Sequence, residues 1–344
     1  MASPLHVSLV AIPEASISTL HGLYDVLNGF GILRGVVDAV PDEPPFHVEI
    51  VSTDGGPVTL ASGLSTPVHR GLSSSKQLPD VVIVPSVVLA EDGWKVGRYP
   101  ELTAWLRTAH EQGALLCSAC SGVFLLAETG LFNRQALTLH WMYAGEFGRL
   151  FPEAILHPEQ ALVVAGERQQ LITSGASMSW HDLVLYLIAR TVGRTSAQAI
   201  ANLFALQWHR DGLGPYIVFN GRIEHGDAAI AAAQKWLNEN YAAADPIAEA
   251  VRRSGMAART FMRRFNDATK HTPLAYVQRL RIEDAKRRLE RTEESIENVA
   301  WQVGYEEAAF FRRLFKRITG VTPGHYRRRF GIPNPSATQL KGAR

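Results

Sequence analysis

Near its C-terminal end this chain uses one pattern twice. Phe261, Arg263, Phe265, Thr269, Thr272, Pro273 and Tyr276 recur 50 residues later as Phe311, Arg313, Phe315, Thr319, Thr322, Pro323 and Tyr326. Upstream, Ile247, Val251 and Gly255 recur as Ile296, Ala300 and Gly304, so the second copy carries one additional residue just after its glycine. Self-similarity of this kind marks a supersecondary unit that has been duplicated.

The spacing says what each unit is. Ile247, Ala250 and Val251 form a short apolar stripe at helical spacing, and Gly255 ends that helix where the chain needs a positive φ. After a tight turn, Phe261 and Phe265 lie four apart on a second helix, while Arg259, Arg263 and Arg264 share the segment and cannot all join its buried face. The second copy repeats this with Ile296, Val299, Ala300, Val303 and Gly304, then Phe311 and Phe315 beside Arg312, Arg313, Lys316 and Arg317. A short helix, a glycine turn and an arginine-faced helix make a helix-turn-helix, whose second helix enters the DNA major groove. Between the copies, Pro273 suits a first turn, and Leu274, Val277, Leu280, Ala285 and Leu289 predict a long amphipathic helix joining two readers. Such a spacer would set the readers in adjacent major-groove segments, about 34 Å apart. A plain helical bundle with solvated arginines is the alternative, but it has no need of matched turn, core and basic positions.

The stretch from about Ile230 to Phe330, with GMAARTFMRRF and GYEEAAFFRRLFKRITGVTPGHYRRRF, resembles the AraC/XylS DNA-binding domain. The resemblance implies that Arg259, Met262 and Arg263 in the first reader, and Glu307, Ala308, Ala309 and Arg313 in the second, face bases. Arginine binds guanine in a two-pronged manner, whereas alanine offers only apolar contact to a thymine methyl, so the first reader is expected to discriminate more sharply. Arg264, Arg312 and Lys316 are assigned to phosphates. Ala257 stands where relatives often carry a capping Ser, which predicts a weaker helix start.

Charge divides along the same line. Residues 226 to 344 hold 22 Lys and Arg against 13 Asp and Glu, residues 1 to 225 hold 13 against 20, and the total is +2. A basic module is joined to an acidic one. The N-terminus lacks a positive leader region and no apolar run reaches the roughly 18 residues of a membrane span, so a cytoplasmic protein without a membrane partner is expected. Two cysteines cannot form a disulfide framework, and the length predicts two domains.

The N-terminal part alternates strand and helix. Apolar, β-rich runs at His6 to Ile12, His47 to Thr53, Val81 to Pro85 and Ala114 to Cys117 are separated by helical patterns near Thr19 to Leu27, Leu102 to Gln112 and Gly122 to Glu128. This predicts an α/β fold, a flavodoxin-like parallel sheet sandwiched by helices, followed by the all-α domain with its two helix-turn-helix units. Ala161 to Val164 and Leu171 to Ser174 read as an edge pair around Gly166, and two further helices follow near Trp180 to Val192 and Ser196 to Trp208. The boundaries read as an α/β domain over 1–209, a linker over 210–227, a DNA-binding domain over 228–330 and an unstructured tail over 331–344.

One segment of the α/β domain carries chemistry. In Leu115-Leu116-Cys117-Ser118-Ala119-Cys120-Ser121-Gly122 an apolar strand meets a small-residue turn and then a helix, which sets Cys120 at the strand-to-helix corner. A helix N-terminus there would favour thiolate, and the glycine two residues on would permit the tight turn of a nucleophile elbow. A thioredoxin-like pair lacks the expected order of elements, and a zinc site needs two more ligands. A buried Cys117 beside an exposed Cys120 is the reading adopted.

CSACSGVFLLAETGLFNRQALTLHW resembles the elbow and following strand of the class I glutamine-amidotransferase-like superfamily, PfpI branch, over roughly Val7 to Leu206. Joined to an AraC-type domain, it is similar to GlxA-type transcriptional regulators. The resemblance implies Cys120 at the nucleophile position, His140 near it, Glu14 bonding the sulfur, and Trp141 beside His140. Hydrolases of the superfamily often carry His directly after the Cys, where this chain has Ser121. The expectation is therefore a non-catalytic pocket for an unidentified small-molecule effector, lined by Cys120, Glu14, His140 and Trp141, without cofactor or metal. Double-stranded DNA is the expected macromolecular partner, and the resemblance implies a homodimer. A Cys-dependent hydrolase or hydratase with an accessory helical domain is the alternative.

Overall fold

The computed structural model describes residues 3–38, 40–74, 77–221 and 225–332, which fall into two compact units, 1–213 and 214–344. The strands of the first unit are β1 (Leu5–Val10), β2 (Phe46–Ser52), β3 (Val58–Thr59), β4 (Ser65–Thr66), β5 (Arg70–Gly71), β6 (Val81–Val84), β7 (Leu115–Ala119), β8 (Ala136–Leu137), β9 (Ile155–Leu156), β10 (Leu162–Ala165) and β11 (Leu171–Ser174). Its helices are α1 (Ile17–Asn28), α2 (Phe30–Leu33), α3 (Pro100–Glu111), α4 (Val123–Ala127), α5 (Ala144–Leu150), α6 (Trp180–Thr191) and α7 (Arg194–Leu203).

The main sheet runs β10-β11-β7-β6-β1-β2-β5, parallel except for the antiparallel β10–β11 pair. Its central strands are buried on both faces, and for that reason β6 reads Val-Val-Ile-Val without polar interruption. The chain adds β2 on one side of β1 and then returns to place β6 on the other, so the strand order reverses between β1 and β6. Ligand sites of open α/β sheets form at the carboxyl ends of strands at such a reversal. Glu14, Ser86 and Cys120 follow the ends of β1, β6 and β7 there.

The second unit contains α8 (Ala228–Asn240), α9 (Pro246–Ser254), α10 (Ala258–Thr269), α11 (Pro273–Arg291), α12 (Ile296–Gln302), α13 (Ala308–Thr319) and α14 (Pro323–Phe330). The two helix-turn-helix units are α9–α10 and α12–α13. Gly255 and Gly304 both take positive φ, 66° and 88°. Each unit has its own core: Ile230, Leu237, Phe261, Phe265 and Tyr276 in the first, Ile282, Leu289, Val299, Phe311, Phe315 and Tyr326 in the second. Helix α11 supplies Tyr276 and Val277 to one core and Ile282, Ala285 and Leu289 to the other. Thr269 and Thr319 donate to the carbonyls of Phe265 and Phe315 in matching bonds of 2.7 and 2.8 Å. The copies are duplicates in structure as well as in sequence.

Part of the stretch read as a linker is bound to the helical unit. The Lys286 ammonium, itself buried, donates to the Ile217 carbonyl at 2.6 Å, and the rings of Tyr216 and Phe219 meet Phe330 and Tyr276 at 5.0 and 5.2 Å. At the other end, the Ile332 amide donates to Glu290 at 2.9 Å, and residues 333–344 of the stretch read as a tail lie outside the described residues. Among the described residues no helix is long and apolar enough to cross a membrane.

Candidate functional site

The recognition helices present the faces that their spacing requires. Phe261 and Phe265 are buried in α10, which leaves Arg259, Met262, Arg263 and Asn266 exposed on the other side. In α13 the exposed set is Ala309, Arg312, Arg313 and Lys316 opposite Phe311 and Phe315. Ala257 opens α10 without a side-chain cap, while Asp245, Thr272, Ser295 and Thr322 cap their helices through backbone amides at 3.1 to 3.3 Å. Glu307 occupies the corresponding cap position of α13 and is exposed, also without a capping bond.

Two assignments change, and a third acquires a partner. Arg264 is not free for phosphate: its guanidinium grips Asp227, the N-cap of α8, through bonds of 2.9 and 2.8 Å, and this pairing holds the Asp227 carboxyl below its ordinary range. The repeat explains why, because Arg264 aligns with Leu314, which is buried in the second core. Ala308 packs partly against that core and leans away from the exposed face. Arg312 is paired with Glu297 of α12, an exposed pair of little worth in water that a phosphate can replace. Asn266, which the sequence reading did not single out, aligns with Lys316 and is exposed three residues beyond Arg263 on the same side.

The elbow forms where the sequence places it, with different electrostatics. Cys120 has φ 53°, a left-handed conformation that is strained for a side chain of this kind. Gly122 is needed for close approach and not for a positive φ: its own φ is −57°, and a Cβ there would press on the Pro85 carbonyl and lie 2.6 Å from that of Val84. Cys120 is only 1% exposed, against the expectation of an accessible thiol. Burial pushes the thiol above its ordinary range, and hydrogen bonds with Ser177, Ser121 and Ser86 offset only part of that. The five-residue α4 and the turn before it do not reverse the sign.

Around the thiol are hydroxyls. Ser177 Oγ lies 3.7 Å from the sulfur, and Tyr143 is within electrostatic reach of it. Ser121, which stands where a hydrolase often carries its histidine, is turned to the neighbouring strand end: Oγ accepts from the Val87 amide at 3.0 Å and donates to the Val87 carbonyl at 2.5 Å. His140 stacks near Tyr143 and Trp141, with ring centroids 5.9 and 5.3 Å apart. Its Nδ1 accepts from the Met142 amide at 3.2 Å, which leaves the ring proton on Nε2, and burial lowers its pKa. Glu14 does not serve the sulfur. Tyr99 donates to its carboxylate at 2.6 Å, and Arg98 pairs with it from the same loop.

Sequence reasoning also missed a cavity of about 630 Å3 in the α/β unit, lined by Glu159, Leu162, Asp182, Trp208, His209 and Gly212 among others. Asp182 is buried there, accepting from the His209 amide at 2.8 Å and pairing with its Nδ1 at 2.6 Å. No local motif announces it, because its walls come from three separate segments.

Two family models match the chain: a helix-turn-helix domain over residues 250–329 and the DJ-1/PfpI family over residues 35–190. The chain is 26% identical over 336 residues to the HTH-type transcriptional regulator CdhR of Pseudomonas aeruginosa, covering 91% of this chain and 93% of that one. It is likewise 26% identical over 293 residues to the HTH-type transcriptional regulator GlxA of Rhizobium meliloti, covering 84% of this chain and 87% of the relative. A crystal structure of an AraC family transcriptional regulator from Pseudomonas putida aligns with 58% of this chain and 100% of its own at 19% identity and a TM-score of 0.48.

Proposed function

We propose that this chain, matched by the DJ-1/PfpI and helix-turn-helix family models, is a sequence-specific DNA-binding transcriptional regulator of the AraC type whose α/β domain senses a small-molecule effector without catalysis. The observation that carries this reading is the pair of recognition helices, each held by its own core and each presenting exposed arginines. Arg259 and Arg263 supply two-pronged base recognition in the first reader, while Arg313 works beside Ala309 in the second, where an apolar contact to thymine replaces hydrogen bonds.

The non-catalytic reading of the α/β domain is supported by proton accounting. A Cys nucleophile needs a base within hydrogen-bond reach of the thiol that can take its proton. His140 accepts a backbone amide on Nδ1 and bears its proton on Nε2, Glu14 is engaged by Tyr99 and Arg98, and Ser121 is committed to Val87. A cavity of about 630 Å3 is ample for a small ligand, which suits a sensor. Effector binding would alter self-association of the α/β domain and with it the presentation of the readers to paired half-sites.

Genome-wide mapping of bound DNA tests the proposal. Wild-type protein is expected to recover a discrete set of sites sharing a motif, and the Arg259→Ala, Arg263→Ala double variant to lose them. Equal recovery by both proteins would refute sequence-specific reading by α10. In reporter strains built on those sites, Cys120→Ala is expected to retain DNA binding.

A further inference from the structure

The first helix of each helix-turn-helix unit carries an exposed residue that the base-reading and phosphate assignments leave without a task. In α12 it is Trp301, a residue 71% exposed, an unusual setting for a side chain that normally buries most of its surface. The repeat aligns it with Arg252 of α9, a side chain also 71% exposed. Two copies of one unit thus keep the same position open to solvent, once with a cation and once with an aromatic donor.

The surroundings identify which flank this is. On α12, Gln302 accepts from Arg288 of α11, so that flank faces the spacer helix. Glu297 pairs instead with Arg312 on the exposed face of α13. Residues four apart share a side of a helix, so Trp301 stands with Glu297 on the flank that borders α13. In the first unit, Arg252 and Arg253 both pair with Glu249, and Arg253 also lies over the Trp236 ring of α8 at 5.0 Å. Trp301 thus adjoins the surface from which α13 reads, and the repeat sets Arg252 at the matching position of the first unit.

We infer that Arg252 and Trp301 are a matched pair of backbone contacts, gripping the sugar-phosphate chain of the DNA at the edge of each reader. The inference rests on the DNA-binding function proposed above. In a docked helix-turn-helix the first helix crosses the backbone while the second lies in the groove. The Arg252 guanidinium, held by Glu249 through two exposed bonds, supplies a charge that neutralises a phosphate when it exchanges that carboxylate for the DNA. The Trp301 indole can only donate, through Nε1–H, and its ring offers an apolar lid for a deoxyribose. Arg312, Arg313 and Lys316 give that neighbourhood the cationic character a phosphate chain requires, and Glu297 yields Arg312 as the phosphate arrives.

Because one contact is charged and the other neutral, salt separates them. Binding of the full chain to a labelled mixed-sequence duplex is measured by fluorescence anisotropy between about 50 and 200 mM salt. Arg252→Gln is expected to reduce the slope of log K against log salt by about 0.9, the share of one phosphate. Trp301→Ala is expected to weaken binding roughly three- to tenfold at every salt concentration with no change of slope, because no counterion is released on its account. Arg253→Gln, whose guanidinium is held over the Trp236 ring, is expected to leave the slope within about half a contact of wild type. Circular dichroism melting checks that the variants, altered at exposed positions, are folded. An unchanged affinity for Trp301→Ala together with an unchanged slope for Arg252→Gln overturns the inference while leaving the DNA-binding function intact. Failure of wild-type protein to bind the duplex at the lowest salt overturns that function itself.

Discussion

Arg264 in the first recognition helix and Asp227 at the start of α8 form a two-pronged ion pair, Nε to Oδ2 at 2.9 Å and Nη2 to Oδ1 at 2.8 Å. The same carboxylate caps α8 through the Ile230 amide at 3.2 Å. Arg264 is therefore a brace between two helices, and Arg264→Ala is expected to lower the melting temperature of the helical unit while leaving the salt dependence of DNA binding unchanged. A reduced salt slope of about 0.9 with unchanged melting would return Arg264 to a phosphate role.

Ser121 ties the turn after β7 to the segment after β6 through both polar groups of Val87. Ser121→Ala strands a buried amide and a buried carbonyl, and is expected to destabilise the α/β unit by about 2–4 kcal/mol in urea unfolding. A loss below about 0.5 kcal/mol would show that the clamp is dispensable.

The buried Cys120 thiol is expected to resist alkylation. Its pKa is raised by burial, so less thiolate is present at mildly alkaline pH than in an ordinary thiol, and the sulfur is covered as well. Iodoacetamide should modify Cys120 at least roughly tenfold more slowly in native protein than in urea, as followed by mass spectrometry. Equal rates would mean that the thiol is accessible after all.

Three histidines of the α/β unit, His110, His140 and His181, have pKa values lowered chiefly by burial from an ordinary 6.5. The unfolded chain then binds more protons than the folded one once pH falls to that range, and stability declines with falling pH. The stabilisation from keeping these rings neutral is present above about pH 6.5 and is lost as pH drops through the lower folded values. The urea midpoint at pH 5.5 is accordingly expected to lie below that at pH 7.5. A flat profile would contradict the burial of these rings.

Lys270 closes α10 in the left-handed region at φ 61°, whereas its counterpart Gly320 closes α13 at φ 86°. Lys270→Gly relieves that strain at an exposed site and is expected to stabilise the helical unit by about 0.5–1 kcal/mol, measured by urea unfolding. A destabilised variant would show that the lysine side chain contributes more than its backbone costs.

The sequence was most legible where periodicity does the specifying. The uninterrupted apolar run of β6, the edge pair around Gly166 and the phenylalanine pairs of α10 and α13 each follow from local pattern, and each forms close to where that pattern places it. The site was legible in position and not in environment. Leu115 to Gly122 announced a strand-turn-helix corner, yet what covers Cys120 comes from Ser177, 57 residues away, and Glu14 finds its partner in Tyr99, 85 residues away. Neither pairing leaves a trace in local spacing. Arg264 is a different kind of miss, since its alignment with buried Leu314 was already present in the repeat.

Helix α11 gives Tyr276 to one core and Leu289 to the next without a break in its backbone. A continuous helix has no slack. One residue inserted near Leu280 would rotate one core against the other by about 100° and lengthen the gap by about 1.5 Å. The protein thus carries a ruler whose graduation is set by residue count, and any adjustment of half-site spacing falls to the DNA, by its twist and bend.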